Sequence, residues 1–81
     1  MSNYLVTLIT IPLCPKCKIM RRRLHKLLES HPEITVEEKG LQSYFDEAIK
    51  NRVMDAPILL INDRIFAGIV DEKTILEALE L

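Results

Sequence analysis

The feature that most constrains this chain is a pair of cysteines, Cys14 and Cys17, which are separated by a proline and a lysine. An apolar, β-branched run precedes the pair and a helical pattern follows it. Proline is favoured at the first position of a helix, because the N–H that it lacks would have no partner there. The segment therefore predicts a helix that begins at Pro15, with Cys14 at its N-terminus.

This placement predicts a chemical role for the pair. Unpaired N–H groups and the helix dipole favour a thiolate at a helix N-terminus, and Lys16 adds a positive charge. Such surroundings lower the pKa of a thiol from about 8.5 into the range of roughly 3.5–7.5. Disulfide exchange needs one thiolate that attacks and a second thiol that resolves the mixed disulfide. We therefore predict that Cys14 is the nucleophile, that Cys17 is the resolving cysteine, and that Pro15 and Lys16 tune the pair.

The pair could also serve three other roles. A structural zinc site needs four ligands, and the spacing of His25 and His31 from the cysteines fits no common zinc finger, so we predict no metal site. Two buried structural thiols would not explain why Pro15 stands at the start of a helix. A metal or cluster bound between two chains remains open.

The first half of the chain predicts a βαβ unit with parallel strands. The run from Tyr4 to Ile11 has little polar alternation, which is typical of a central strand buried on both faces. A helix from Pro15 to about Ser30 carries an apolar stripe with Cys17 on it, so this sulfur should point inward. Glu33–Lys39 predicts the second strand.

The second half predicts a short helix, a hairpin and a last helix. Ser43 should cap the second helix, with Asp46 in a capping-box-like position, and its apolar residues should cover the sheet. Tyr44 lies either at the site or in the core. The hairpin has strands 58–61 and 64–67, joined at Asn62-Asp63. Asp71 should cap a helix that runs through Leu79. The residues expected to cover the sheet are Phe45, Ala48 and Ile49.

Composition restricts the class of protein. The 81 residues, 48% of them apolar, predict one domain over residues 1–81, and the net charge of −1 gives no attraction to nucleic acid or membranes. We expect a cytoplasmic protein, because no signal-peptide or transmembrane pattern is present. We also expect a monomer. Six basic residues lie between Lys16 and Lys26. This stretch could meet an acidic partner or simply be a solvated helix face.

The order β-α-β-α-β-β-α, with Cys-X-X-Cys at the start of the first helix, resembles the thioredoxin fold. The Cys-Pro-X-Cys form and the compact length resemble its glutaredoxin branch. The fold implied is α/β, a thioredoxin-like three-layer α/β/α sandwich with a four-stranded mixed sheet. The resemblance also implies a cis bond between Ala56 and Pro57 that packs against the disulfide. Gly68 would border the substrate groove.

The resemblance implies a small thiol-disulfide oxidoreductase that reduces protein disulfides and is recycled by a reductase or by glutathione. No tightly bound cofactor is expected, although glutathione could be a co-substrate. The chain has Asp55-Ala56 where glutaredoxins usually carry threonine and valine, and the lysine that commonly precedes the first cysteine is missing. Met54 could form an apolar wall or fill the core. A glutathione-dependent glutaredoxin and a non-catalytic partner- or metal-binding module are the alternatives.

Overall fold

The computed structural model describes residues 4–52, 56–62 and 64–81. The element order confirms the predicted β-α-β-α-β-β-α succession. A short 3-10 turn at Leu41–Ser43 precedes the second helix. The elements are β1 (Tyr4–Thr10), α1 (Pro15–Ser30), β2 (Ile34–Gly40), α2 (Phe45–Lys50), β3 (Ile58–Ile61), β4 (Arg64–Ala67) and α3 (Glu72–Leu79).

The four strands form one mixed sheet in the order β2-β1-β3-β4. Strand β1 pairs parallel with β2 and antiparallel with β3, and β3 pairs antiparallel with β4. A parallel pair needs a crossover connection, which α1 supplies. The predicted central position of β1 is confirmed, since residues 6–10 are all buried.

The core lies on both faces of the sheet, so the molecule has the three predicted layers. On one face, apolar residues of α1 and α3 pack against Val6 and Leu8 of β1. On the other face, Ala48 of α2 packs with Ile9 and Ile58. Alternate residues of β1 therefore serve opposite layers, as the two-residue period of a strand requires.

The ends of α1 and α3 follow from local sequence. Helix α1 stops at Ser30, just before His31-Pro32, and proline disfavours helical backbone in the residue before it. Asp71 caps α3, as predicted, and its side chain accepts a hydrogen bond of 2.8 Å from the Thr74 N–H.

The predicted start of α2 is wrong. The hydroxyl of Ser43 donates to the carbonyl of Gly40 at 2.9 Å and so belongs to the preceding 3-10 turn, and Tyr44 occupies the capping position without a side-chain cap. The helix has six residues, so only a narrow face reaches the sheet. Ala48 is buried there, but Phe45 and Ile49 are 54% and 55% exposed and do not cover the sheet as expected.

Strand register gathers several loops at one edge of the sheet. At that edge Ile9 lies opposite Ile58, Thr10 opposite Gly40, and Ile58 opposite Ala67. The segments that follow β1 and β4 and the one that precedes β3 therefore meet there. This edge holds the two cysteines.

None of the helices in the described ranges is long and apolar enough to span a membrane.

Candidate active site

Cys14 occupies the N-cap of α1, with Pro15 in the first turn as predicted. Its backbone is extended (φ −111°, ψ 108°), and its Sγ accepts a hydrogen bond of 3.1 Å from the Cys17 N–H. The preceding residue, Leu13, has a φ of +56° and is 99% exposed. The chain thus turns sharply at Leu13 and presents the sulfur of Cys14 at a half-exposed helix terminus.

The surroundings of Cys14 favour its ionised form. A hydrogen bond from the Cys17 thiol lowers the pKa of Cys14 most, and backbone hydrogen bonds from Cys17 and Lys16 and the charge of Lys16 lower it further. Partial desolvation opposes these effects without reversing them. This is the behaviour expected of a thiol at a helix N-terminus.

Cys17 has the opposite environment. It is 2% exposed, on the inward face of α1 as predicted. Burial raises the pKa of Cys17 most, and hydrogen bonding with the Cys14 thiol raises it further, because both favour the protonated thiol. Both cysteines are free thiols in this structure. The site therefore holds one accessible sulfur biased toward the thiolate and one buried sulfur that keeps its proton.

The bond between Ala56 and Pro57 is cis, as the resemblance implies. Pro57 is fully buried, and its carbonyl accepts a hydrogen bond of 2.8 Å from the N–H of Gly68. Gly68 has a φ of +82°, a conformation that glycine adopts without penalty. This bond joins two segments at the edge of the sheet that holds Cys14. Met54 and Asp55 lie outside the described residues.

A groove opens beside the two cysteines. Its volume is about 350 Å³, and a second groove of about 620 Å³ adjoins it through shared residues of the β1–α1 loop and the end of β2. Its wall on the α1 side includes Lys18 and Arg21, so a bound group would meet positive charge there. The remaining wall is formed by Thr10, Ile11, Pro12, Leu13 and Gly40.

Sequence reasoning missed an ion pair next to this groove. Arg21 donates two hydrogen bonds of 2.7 Å, from Nε and Nη2, to the two carboxylate oxygens of Glu38. The sequence could have identified Arg21 as a residue near the site, because it lies one helical turn after Cys17. Glu38 could not be found in this way, because it comes from β2.

The basic stretch from Lys16 to Lys26 does not form one charged face. Arg21 pairs with Glu38, and Arg23 donates to the carbonyl of Val70 at 2.7 Å. Lys18 lines the groove, while Arg22 and Lys26 are exposed. The stretch is therefore neither one surface for an acidic partner nor one solvated helix face, since its individual residues take different roles.

Tyr44 lies in the core, 7% exposed, and not at the site. His25 is exposed on α1, and the ring of His31 lies 3.3 Å from the Glu33 carboxylate. Within residues 4–52, 56–62 and 64–81 no three side chains are grouped so that they could hold a metal ion.

The architecture is that of several solved proteins. Chloroplastic thioredoxin z superposes with a TM-score of 0.74 at 16% identity, over 98% of this chain and 77% of the other. The chain has the thioredoxin fold. Fasciola hepatica thioredoxin (TM-score 0.68, 18% identity) is matched over 98% of this chain and 80% of its own. Mitochondrial thioredoxin 3 from Saccharomyces cerevisiae (0.66, 18%) is matched over 99% and 79%.

The thioredoxin fold that the sequence resembles is thus confirmed by its architecture, while the glutaredoxin branch stays a prediction. At identities of 16–18% these likenesses concern the fold alone. No protein-family model matches the sequence, and no curated protein sequence matches it.

Proposed function

We propose that this protein is a small dithiol thiol-disulfide oxidoreductase that reduces protein disulfides through Cys14 and Cys17. One observation carries the proposal: two free thiols lie within one helical turn, in environments that shift their pKa values in opposite directions. Disulfide exchange uses this asymmetry. The first sulfur must attack as a thiolate, and the second must stay protonated until the mixed disulfide has formed. The thioredoxin fold of the chain supports the same conclusion.

In the first step, the thiolate of Cys14 attacks one sulfur of a substrate disulfide. A bond forms between Cys14 and that sulfur, the substrate disulfide breaks, and the other substrate sulfur leaves with the electron pair and takes up a proton. Cys14 suits this step because its sulfur is accessible and its thiolate is stabilised by the helix terminus.

In the second step, the sulfur of Cys17 attacks the Sγ of Cys14. The Cys14–Cys17 disulfide forms, and the bound substrate sulfur leaves as a thiolate and is protonated. The substrate disulfide has then gained two electrons and the cysteine pair has lost them. The Cys17 thiol already forms a hydrogen bond with the Cys14 sulfur, so the two sulfurs lie close together before the disulfide forms.

The substrate chain would lie near Ala56 and Pro57, with Gly68 at the border of its groove. Strand register supports this placement, because the segments around these residues reach the same edge of the sheet as Cys14. We propose a cytoplasmic monomer without a tightly bound cofactor, which receives electrons from a reductase or from glutathione.

The proposal is tested by reduction of a disulfide-containing protein with dithiothreitol as the electron source. The intact protein should accelerate the reaction and Cys14→Ser should abolish the acceleration. Cys17→Ser that is first reduced and then freed of dithiothreitol should accumulate a mixed disulfide at Cys14, detectable as a mass increase equal to one substrate chain. If Cys14→Ser is as active as the intact protein, the proposal is wrong.

A separate assay distinguishes the electron donors. A glutathione-dependent glutaredoxin would reduce glutathione mixed disulfides and keep this activity in Cys17→Ser, because glutathione itself can resolve the intermediate. A protein that depends on a reductase would be reduced rapidly by a thioredoxin-type flavoprotein and slowly by glutathione. A non-catalytic module would show neither activity.

A further inference from the structure

Arg21 lies where it can influence the buried cysteine. It follows Cys17 by four residues in α1, so the two side chains project from the same face of the helix. Both residues line the groove beside the site, together with Thr10 and Gly40. Lys18 also lines this groove, but its side chain is exposed and forms no ion pair in the described residues.

The guanidinium of Arg21 is held in one orientation. Nε and Nη2 each donate a 2.7 Å hydrogen bond to Glu38, which is the planar, two-bond geometry that arginine forms with a carboxylate. Glu38 comes from β2, so the pair joins α1 to the edge strand of the sheet. A free arginine at this position would sample many rotamers, whereas this one is restrained.

We propose that Arg21, oriented by Glu38, is a positioning residue that supplies a fixed positive charge favouring the thiolate of Cys17 in the second step. The inference rests on the proposed function, because only a resolving cysteine needs to become a thiolate. Burial alone would hold Cys17 protonated, and a nearby cation offsets part of that penalty. The same charge lies beside the groove through which the Cys17 proton can reach solvent.

The other groups around Cys17 do not provide this charge. Cys14 and burial raise the pKa of Cys17, whereas a backbone hydrogen bond from Ile11 of the β1–α1 loop and the charge of Arg21 lower it. Glu38 is the carboxylate that faces the site from β2, and it is bound to Arg21. Arg21 lines the groove, whereas Glu38 does not.

The chemical step in question is the loss of the Cys17 proton followed by attack on Cys14. The proton passes to solvent, the new S–S bond forms, and the substrate sulfur leaves with the electrons of the broken bond. A cation that stabilises the Cys17 thiolate raises the fraction of molecules ready for this attack at a given pH. Its effect should therefore appear in the pH dependence of Cys17 and not in the first step.

The test isolates Cys17 in a Cys14→Ser background, where serine keeps an N-cap residue and Cys17 is the single thiol. The rate of its alkylation by iodoacetamide is measured against pH, with Arg21 intact or changed to Gln or Lys. We expect Arg21→Gln to move the curve to higher pH and to slow alkylation at pH 7 by about two- to fivefold, as befits a partly exposed charge pair. Arg21→Lys, which keeps the charge but not the two-bond contact with Glu38, should restore part of the rate.

Arg22→Gln is the matched control, since it removes the same charge from the next, exposed residue and should leave the curve unchanged. The assay needs no redox turnover, so it gives an answer even if the proposed function fails. If Arg21→Gln leaves the curve in place, or if Arg21→Lys behaves like Arg21→Gln, a fixed charge is not the cause and the inference is overturned. A shift of equal size in Arg22→Gln would overturn it as well.

Discussion

The state of Cys14 at neutral and acidic pH offers the sharpest test of the site. A thiol with a pKa near 8.5 is only about 3% ionised at pH 7, and the ionised fraction falls about tenfold for each pH unit below that. A thiol of lowered pKa therefore gains most over a free thiol in acid. Part of the gain is lost because a more acidic thiolate is a weaker nucleophile.

We expect Cys14 to be alkylated at least about threefold faster than a free cysteine peptide at pH 5.5. Between pH 5.5 and pH 7 the rate for the peptide should rise about 30-fold, and the rate for Cys14 should rise less. Residue-resolved mass spectrometry after brief iodoacetamide exposure measures both sulfurs in the same sample. Cys17, which is buried and has a raised pKa, should be alkylated much more slowly than Cys14.

The structure also ranks the causes of the lowered pKa of Cys14, and two substitutions separate these causes. Cys17→Ala removes the thiol hydrogen bond that lowers the pKa of Cys14 most, so it should move the alkylation curve furthest toward that of a free thiol. Lys16→Gln removes the smallest contribution and should shift the curve less. Lys26→Gln, on the same helix but exposed and remote, is the control. If Cys14 follows the curve of the free peptide, the N-terminus of α1 does not stabilise its thiolate and the reasoning is refuted.

Three further predictions concern stability. Leu24→Ala empties a core position that is 1% exposed and should lower the free energy of unfolding in urea by about 2–5 kcal/mol, whereas Ile19→Ala, at 44% exposure on the same helix, should cost well under half as much. Equal losses would contradict the core assignment. Hydrogen bonds from Arg21 hold the pKa of Glu38 below its usual value, so this carboxylate stabilises the fold above its unfolded pKa and the stabilisation is lost as pH falls through the folded pKa. Glu38→Gln should therefore lower Tm near pH 7 and converge with the parent protein at acidic pH, once Glu38 is protonated in the folded state; a constant difference at all pH values would exclude this linkage. Gly68→Ala should cost about 1–2 kcal/mol by chemical denaturation, because φ is +82° although its Cβ would meet no atom within 4 Å. Gly40→Ala, with the same open space and no positive φ, should be nearly neutral, and a similar loss at both positions would rule out backbone strain as the cause.

Much of the fold could be predicted because its signals are local. The proline at the start of α1, the apolar stripe of that helix and the Asp71 cap of α3 each act within a few residues, and each is present in the structure. The same holds for the opposite placement of the two sulfurs. The helix terminus exposes Cys14, whereas Cys17 falls on the apolar, inward stripe of α1 that continues at Met20.

The second helix shows where local signals fail. Ser43 is a good capping residue by type, yet its hydroxyl bonds to the carbonyl of Gly40 in a preceding turn. Phe45 and Ile49 are apolar, yet α2 is too short to bring them onto the sheet beside Ala48. Helices this short are stabilised mainly by tertiary contacts, so their bounds and orientation depend on the sheet that they cover.

By itself, the sequence determined the order of the elements, the helix that begins at Pro15 and the unequal exposure of Cys14 and Cys17, since these follow from periodicity and capping. Only the tertiary structure decided which distant residues surround the pair. Strand register brings the segments around Pro57 and Gly68 to the edge of the sheet that holds Cys14, and the α1–β2 packing places Glu38 on Arg21. These contacts join residues far apart in the chain, and nothing in the local pattern of either partner encodes the other.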